Sequence, residues 1–115
     1  MKTILVLAAL TTCVSSAYAA NTIPPSRARS SVGQLVIVEG KANIQDDASR
    51  AGTDVDVTGP NGHMIAFIPV GDKNQFPALD SFEGKTVDVT GVVDMESSGP
   101  EIRITTPNQL KLATP

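Results

Sequence analysis

The sequence predicts an all-β protein, five strands with one short helix between the third and the fourth, behind an N-terminal signal-peptide helix. Three observations lead there. From Val32 onward apolar residues recur with period two, as in 34–43 (QLVIVEGKAN) and 85–93 (KTVDVTGVV), which is the alternation of strands that bury one face. Glycines and prolines fall between those runs, where the chain has to turn. One stretch departs from the alternation: in 73–82 (KNQFPALDSF), Phe76, Leu79 and Phe82 recur at intervals of three, a helical spacing.

Taken in order, the chain begins with Met1 and Lys2, an unbroken apolar run over 4–10 (ILVLAAL), and a small-x-small site at Ala17, Tyr18 and Ala19. A positive start, a short apolar core and an Ala-x-Ala end form a secretory signal, and the run is too short to span a bilayer as a helix. Cleavage is expected between Ala19 and Ala20, giving a periplasmic or secreted protein with no transmembrane segment. Leu10-Thr11-Thr12-Cys13 leaves a second route open, a lipid anchor on Cys13. Residues 20–31 (ANTIPPSRARSS) combine prolines and serines with no apolar periodicity, and are expected to form a flexible arm. The folded domain is then 32–112, with 113–115 as a tail.

Within the domain, 34–43 is strand one, 55–58 with its flanking aspartates strand two, and 64–69 (MIAFIP) strand three. Gly59-Pro60-Asn61-Gly62 joins the last two as a tight hairpin, because Pro presets its own backbone and Asn and Gly tolerate positive φ. The helix over 73–82 starts with Asn74 as its cap and Pro77 in a first turn. Strand four is 85–93 and strand five 101–105 (EIRIT), joined through 95–100 (MESSGP). The expected core is Val36, Val38, Val55, Val57, Val87, Val89, Ile102, Ile104 and Leu110, with Phe76, Leu79 and Phe82 from the helix. Each contributes about 1.5–3 kcal/mol of gross burial, most of it offset by conformational entropy.

Composition bounds the function. Loss of 1–19 leaves 96 residues, one domain's worth, and removes the only cysteine, so neither a disulfide nor a thiol is available. Eight basic residues then face twelve acidic ones, a balance that does not attract phosphate backbones or anionic lipids.

Strands one and four align as GQLVIVEGKA and GKTVDVTGVV, with Gly40 and Gly91 in mid-strand, where glycine permits a bulge or the sharp coiling of a small barrel. The strand order, the kinked first strand and the wording VEGKA, FEGKTVDVTGVV and GPEIRITTPNQLKL resemble small exported bacterial OB-fold domains of the nucleic-acid-binding-like type. The likeness runs from Val32 to Leu112. It implies a five-stranded OB-type Greek-key barrel and is nearly silent on the ligand, since one fold hosts many functions.

Catalytic chemistry is not legible. His63 is the only histidine and sits by a turn, with no nucleophile or oxyanion loop in evidence. One His without a Cys makes no zinc set, and neither a P-loop nor a GxGxxG occurs. No enzyme activity, cofactor or metal is therefore expected. Asp54 and Asp56 flank Val55 and project from one outer face of strand two, bordering the usual OB ligand surface. Ordinary hydration of surface charge accounts for them; a cation held jointly with Asp46 and Asp47 is the sharper reading. Glu39 and Asp88 project from the outer faces of strands one and four.

Single-strand binding by OB domains uses a basic groove and stacking aromatics worth about 1–3 kcal/mol per base. Here the candidate aromatic is Phe67 alone, and Arg27, Arg29, Lys41, Arg103 and Lys111 are outweighed by the aspartates. The expected role is a non-enzymatic binding module for an envelope protein, a peptide or a small cationic ligand. The ligand face comprises Asp54, Asp56, Phe67, Asp46 and Asp47, and a nucleic-acid-binding OB protein is the alternative.

Overall fold

A computed structural model describes residues 20–114 of the chain, so the expected signal, the cleavage site at Ala19 and Cys13 lie outside the described residues. The described chain is mostly β. Eight strands form one sheet: β1 (Asn21–Ile23), β2 (Leu35–Asp47), β3 (Gly52–Gly59), β4 (Gly62–Pro69), β5 (Thr86–Val92), β6 (Asp94–Glu96), β7 (Gly99–Arg103) and β8 (Leu110–Leu112). The ladder runs β6-β7-β4-β3-β2-β5-β8, with β1 paired to β2. The β2–β3–β4 meander is antiparallel, β4 and β7 are parallel, and β5 returns antiparallel to β2.

Strand β2 serves two partners because it bends. Its first half pairs with β5 and its second with β3, and Lys41 faces Thr58 on one side and Thr86 on the other. Gly40 makes the bend possible: a Cβ there would lie 2.6 Å from the Thr58 carbonyl oxygen and 2.9 Å from Pro25 Cγ. Hydrogen bonding leaves the sheet open between β5 and β7. The sheet nevertheless curls until Gly91 of β5 lies against the Ile102 side chain of β7, where a Cβ would collide with Cγ2.

The expected core is in place. Val38, Val55, Val57, Val87, Val89, Ile102 and Ile104 have no exposed surface, while Val36, Leu110, Phe76 and Leu79 are buried and Phe82 packs at the margin. Period two supplies this directly, since inward valines on β2, β3 and β5 alternate with outward Glu39, Asp54, Asp56 and Asp88.

Three expectations need correction. Residues 20–31 are not a flexible arm: β1 pairs in parallel with Val36–Val38, and Pro25–Ser31 forms a 3-10 helix that buries Pro25, Ala28 and Ser31. Too few apolar residues mark this segment for periodicity to register it, yet Ala28 is wholly buried. The single helix over 73–82 is two 3-10 turns, Val70–Gln75 and Leu79–Phe82, interrupted at 76–78, and Asn74 caps neither. Pro77 breaks the helix rather than starting it, because it offers no N–H to a preceding turn. Finally, eight strands replace five, since β1, β6 and β8 have three residues each and fall below the length at which alternation shows. No helix among the described residues is long and apolar enough to cross a membrane.

Candidate functional site

The outer face of β3, β4 and β7 is set by register. One row across the strands runs Gln45, Asp54, Phe67, Arg103, and the next runs Asn43, Asp56, Ile65, Glu101, Asp94. Alternation fixes which residues appear there, because Val55, Val57, Met64, Ala66, Ile68, Ile102 and Ile104 take the inner positions.

Arg50 reaches over this face from the short turn between β2 and β3. Ala48–Arg50 is a 3-10 turn closed by Ala51 in the left-handed region at φ 53°, whose N–H donates to the Ala48 carbonyl. The Ala51 carbonyl in turn accepts from Val70 N–H at 3.0 Å. Left-handed backbone costs a residue with a Cβ about 1–2 kcal/mol, and here it sends the chain into β3 with Arg50 directed across the sheet. The Arg50 guanidinium lies 4.0 Å from the Phe67 ring centroid. Its two terminal nitrogens donate to the two carboxylate oxygens of Glu101 at 2.5 and 3.1 Å.

Such a fork-on-fork pair is the strong geometry for guanidinium and carboxylate. The Glu101 side chain is only 5 % exposed, whereas that of Arg50 is 32 % exposed. Hydrogen bonding to Glu101 raises the Arg50 pKa above its ordinary value. Phe67 fits because Gly52, beside it on β3, has no side chain; a Cβ there would lie 2.6 Å from Phe67 Cε1.

Phe67 is therefore on the expected face but does not reach solvent. It is 2 % exposed, covered by Arg50 and flanked by the Arg103 guanidinium at 5.6 Å. The expected aspartates divide. Asp54 lies beside Arg50 and Asp47, and burial, followed by the Asp47 charge, pushes its carboxyl up to about 6. One of its oxygens, Oδ1, is buried without a hydrogen-bond partner. Asp47 accepts from the Ser49 hydroxyl at 2.7 Å, which holds its pKa below the usual value. Asp56 lies 2.9 Å from His63 Nδ1.

Asp46 turns to the other side of β2, where it accepts from Thr53 Oγ1 at 3.2 Å and Lys73 Nζ at 3.3 Å. The four aspartates thus do not converge on one point, because neighbouring residues 46 and 47 must face opposite ways along a strand. No three His, Cys, Asp or Glu among the described residues are grouped to hold a metal ion.

Next to this face a groove of about 490 Å³ is lined by Val32, Gly33, Val92, Val93, Asp94, Glu96, Glu101 and Arg103. Three carboxylates face one guanidinium there, over an apolar floor in which Val32 and Val92 are exposed. On the far side of the sheet Glu39 and Asp88 are cross-strand partners, and hydrogen bonding to Asp88, followed by its charge, raises the Glu39 pKa.

Sequence reasoning overlooked Arg50 and treated Glu101 as part of a strand only. The alternation of EIRIT does place Glu101 and Arg103 outward, and Arg50 stands in a turn between two acidic strands. What sequence could not supply is the register that lays β7 beside β4.

The structure matches part of a solved structure described as an aspartyl-tRNA synthetase from Leishmania major Friedlin. The TM-score is 0.60 at 13% sequence identity, over 84% of this chain and 21% of that one. At that identity the likeness speaks to fold alone, and the chain spans about a fifth of that protein's length. No protein-family model matches the sequence, and no curated protein does.

Proposed function

We propose that this chain is a non-enzymatic OB-type binding module whose acidic outer face engages a cationic partner, a basic peptide segment or a small cation. The OB reading rests on the strand order, in which β2, β3, β4, β7 and β5 correspond to the five strands of that Greek-key barrel, whose ligand surface is the face of its second and third strands and the adjoining loops. The observation that carries the ligand class is the charge of that face. Asp47, Asp54, Asp56 and Glu101, continued by Asp94 and Glu96 in the groove, outnumber Arg50 and Arg103, while Lys41 and His63, which pairs with Asp56, lie at the margin of the face.

Charge of one sign focused in a cleft draws the opposite sign. At the margin of this face His63 pairs with Asp56 at the surface. The amino-terminal 19 residues support export to the periplasm or beyond, and mass spectrometry of the mature amino terminus decides between free Ala20 and lipidated Cys13. Binding is tested by anisotropy with a fluorescent lysine- and arginine-containing decapeptide. The expected result is saturable binding that weakens with salt and with Asp54→Asn plus Asp56→Asn; binding indifferent to those changes overturns the proposal.

The second reading is nucleic acid, favoured by the shape shared with the synthetase, a protein whose name says that it acts on tRNA. Stacking platforms are what single strands need, and the one aromatic on this face lies beneath Arg50. Salt-dependent capture of a single-stranded oligonucleotide in the same assay would favour this reading over the first.

A further inference from the structure

We propose that the recess formed by Phe67, Glu101 and Asp54 is a seat for a guanidinium group, filled by Arg50 when the protein is unliganded and by an arginine side chain of the partner when bound. This rests on the cationic-partner reading and names the chemistry by which the face would recognise that partner. The recess has the parts such a receptor requires. Phe67 offers a ring face, held flat by the missing side chain of Gly52, and aromatic faces attract guanidinium groups. Glu101 offers a two-oxygen acceptor that is almost wholly buried and already binds a guanidinium through both oxygens.

The resident arginine leaves one acceptor unused. Arg50 satisfies Glu101, but Asp54 Oδ1 is buried with no partner among the described residues, the Asp54 carboxyl being engaged by Asp47 and not by a guanidinium. A guanidinium carries five N–H donors in a planar fork, so one arriving over the Phe67 ring can bridge Glu101 and Asp54 together, which Arg50, tethered to the turn between β2 and β3, does not. Arg50 is also placed to leave. It stands on a three-residue turn and is one-third exposed, so its charge passes into water on release. Arg103 bounds the seat on the β7 side, and Asp47 and Glu96 add negative charge around it, since Glu96 also acts on Arg50.

A lysine fits this seat less well, being a point charge without the planar fork. The peptide bearing the arginine has a course beside the seat, because the acidic groove lined by Val32, Val92, Asp94 and Glu96 shares Glu101 and Arg103 with it.

The test titrates N-acetyl-arginine methylamide and its lysine counterpart into the full chain and into Arg50→Ala, followed by amide chemical shifts and thermal unfolding. A site blocked by its own latch binds more weakly by the fraction of open molecules, so a latch closed in about nine molecules of ten makes R50A bind roughly tenfold more tightly than the native chain. R50A is expected to lose Tm and recover part of it with the arginine probe, not with lysine, and Glu101→Gln in that background is expected to abolish the recovery. If R50A does not fold, Arg50→Gln, which keeps the stem over Phe67, takes its place with the same outcomes. An arginine probe that gives no saturable shift in a folded variant, or arginine and lysine probes that act alike, overturns the seat. Equal binding of arginine- and lysine-rich decapeptides that is lost with Asp54→Asn plus Asp56→Asn overturns the seat and leaves the acidic-face reading standing; binding of neither decapeptide overturns both.

Discussion

Gly91→Ala tests whether the sheet curls upon itself. A Cβ at position 91 would fall on Ile102 Cγ2 and lie 3.3 Å from Gln109 Nε2. Ile102 is fully buried and has no free space to enter, and Gln109 is held by its donation to the Thr90 carbonyl at 3.0 Å. Inserting one methyl group into such a site costs about 1–3 kcal/mol. In a domain of this size that lowers Tm by roughly 4–8 °C for each kcal/mol. Gly71→Ala supplies the control, because a Cβ there meets nothing within 4 Å and the change stays within about 0.5 kcal/mol. Thermal and urea unfolding of both variants, with Ile102→Leu added to remove the Cγ2 branch, forms a double-mutant cycle in which neighbouring sites couple. If G91A melts with G71A, or shows no coupling to Ile102, β5 and β7 do not meet and the barrel-like closure is refuted.

Three further outcomes follow from single residues. Asp54 has a folded-state pKa of about 6 against an ordinary 3.8, so its protonated form favours the fold. That contribution is full below about pH 4 and is lost as pH rises through 6. Asp54→Asn therefore raises stability at pH 7 by about 1 kcal/mol after solvent screening, and flattens the slope of Tm between pH 4 and 6; a lower Tm at pH 7 would count against this. Ala28→Asp places an unpaired carboxylate where no surface is exposed and is expected to cost about 3 kcal/mol or more, whereas a true flexible arm would tolerate it without change in the urea midpoint. Phe67→Ala removes the ring under Arg50 and is expected to cost about 3–5 kcal/mol; calorimetry showing a loss below 1 kcal/mol would mean that the ring is not packed there.

The all-β class and its core were legible because the inner residues of β3 and β5 alternate cleanly with polar ones, as in Val87, Asp88, Val89 and Thr90. Gly40 and Gly91 were legible as special positions because glycine in mid-strand marks a bend or a close approach: Gly40 lies where β2 bends and Gly91 where β5 meets Ile102. The segment 21–31 was not, since its anchors are backbone pairing of β1 and the small Ala28, and neither leaves an apolar period. The 3-10 turns at 70–82 kept the spacing of Phe76, Leu79 and Phe82 while dispensing with a continuous helix, and spacing alone does not tell the two apart.

At the site, alternation announced Asp54 and Asp56 as outward. Phe67 takes an outward strand position yet is buried, because its cover is an arginine 17 positions away in sequence, delivered by a left-handed alanine. Arg50 and Glu101 are separated by 51 residues, and only the parallel pairing of β4 with β7 brings them together.

We propose above that a cationic partner binds the outer face of β3, β4 and β7. A two-dimensional amide NMR titration of the protein with a lysine- and arginine-containing decapeptide tests it most directly. The predicted result is saturable shifts confined to Arg50, Asp54, Asp56, Glu101, Arg103 and the rim at Asp94 and Glu96, shrinking as salt is raised. Shifts that gather instead around Glu39 and Asp88, or none at all with the peptide while an oligonucleotide moves the same face, would rule out a cationic partner there.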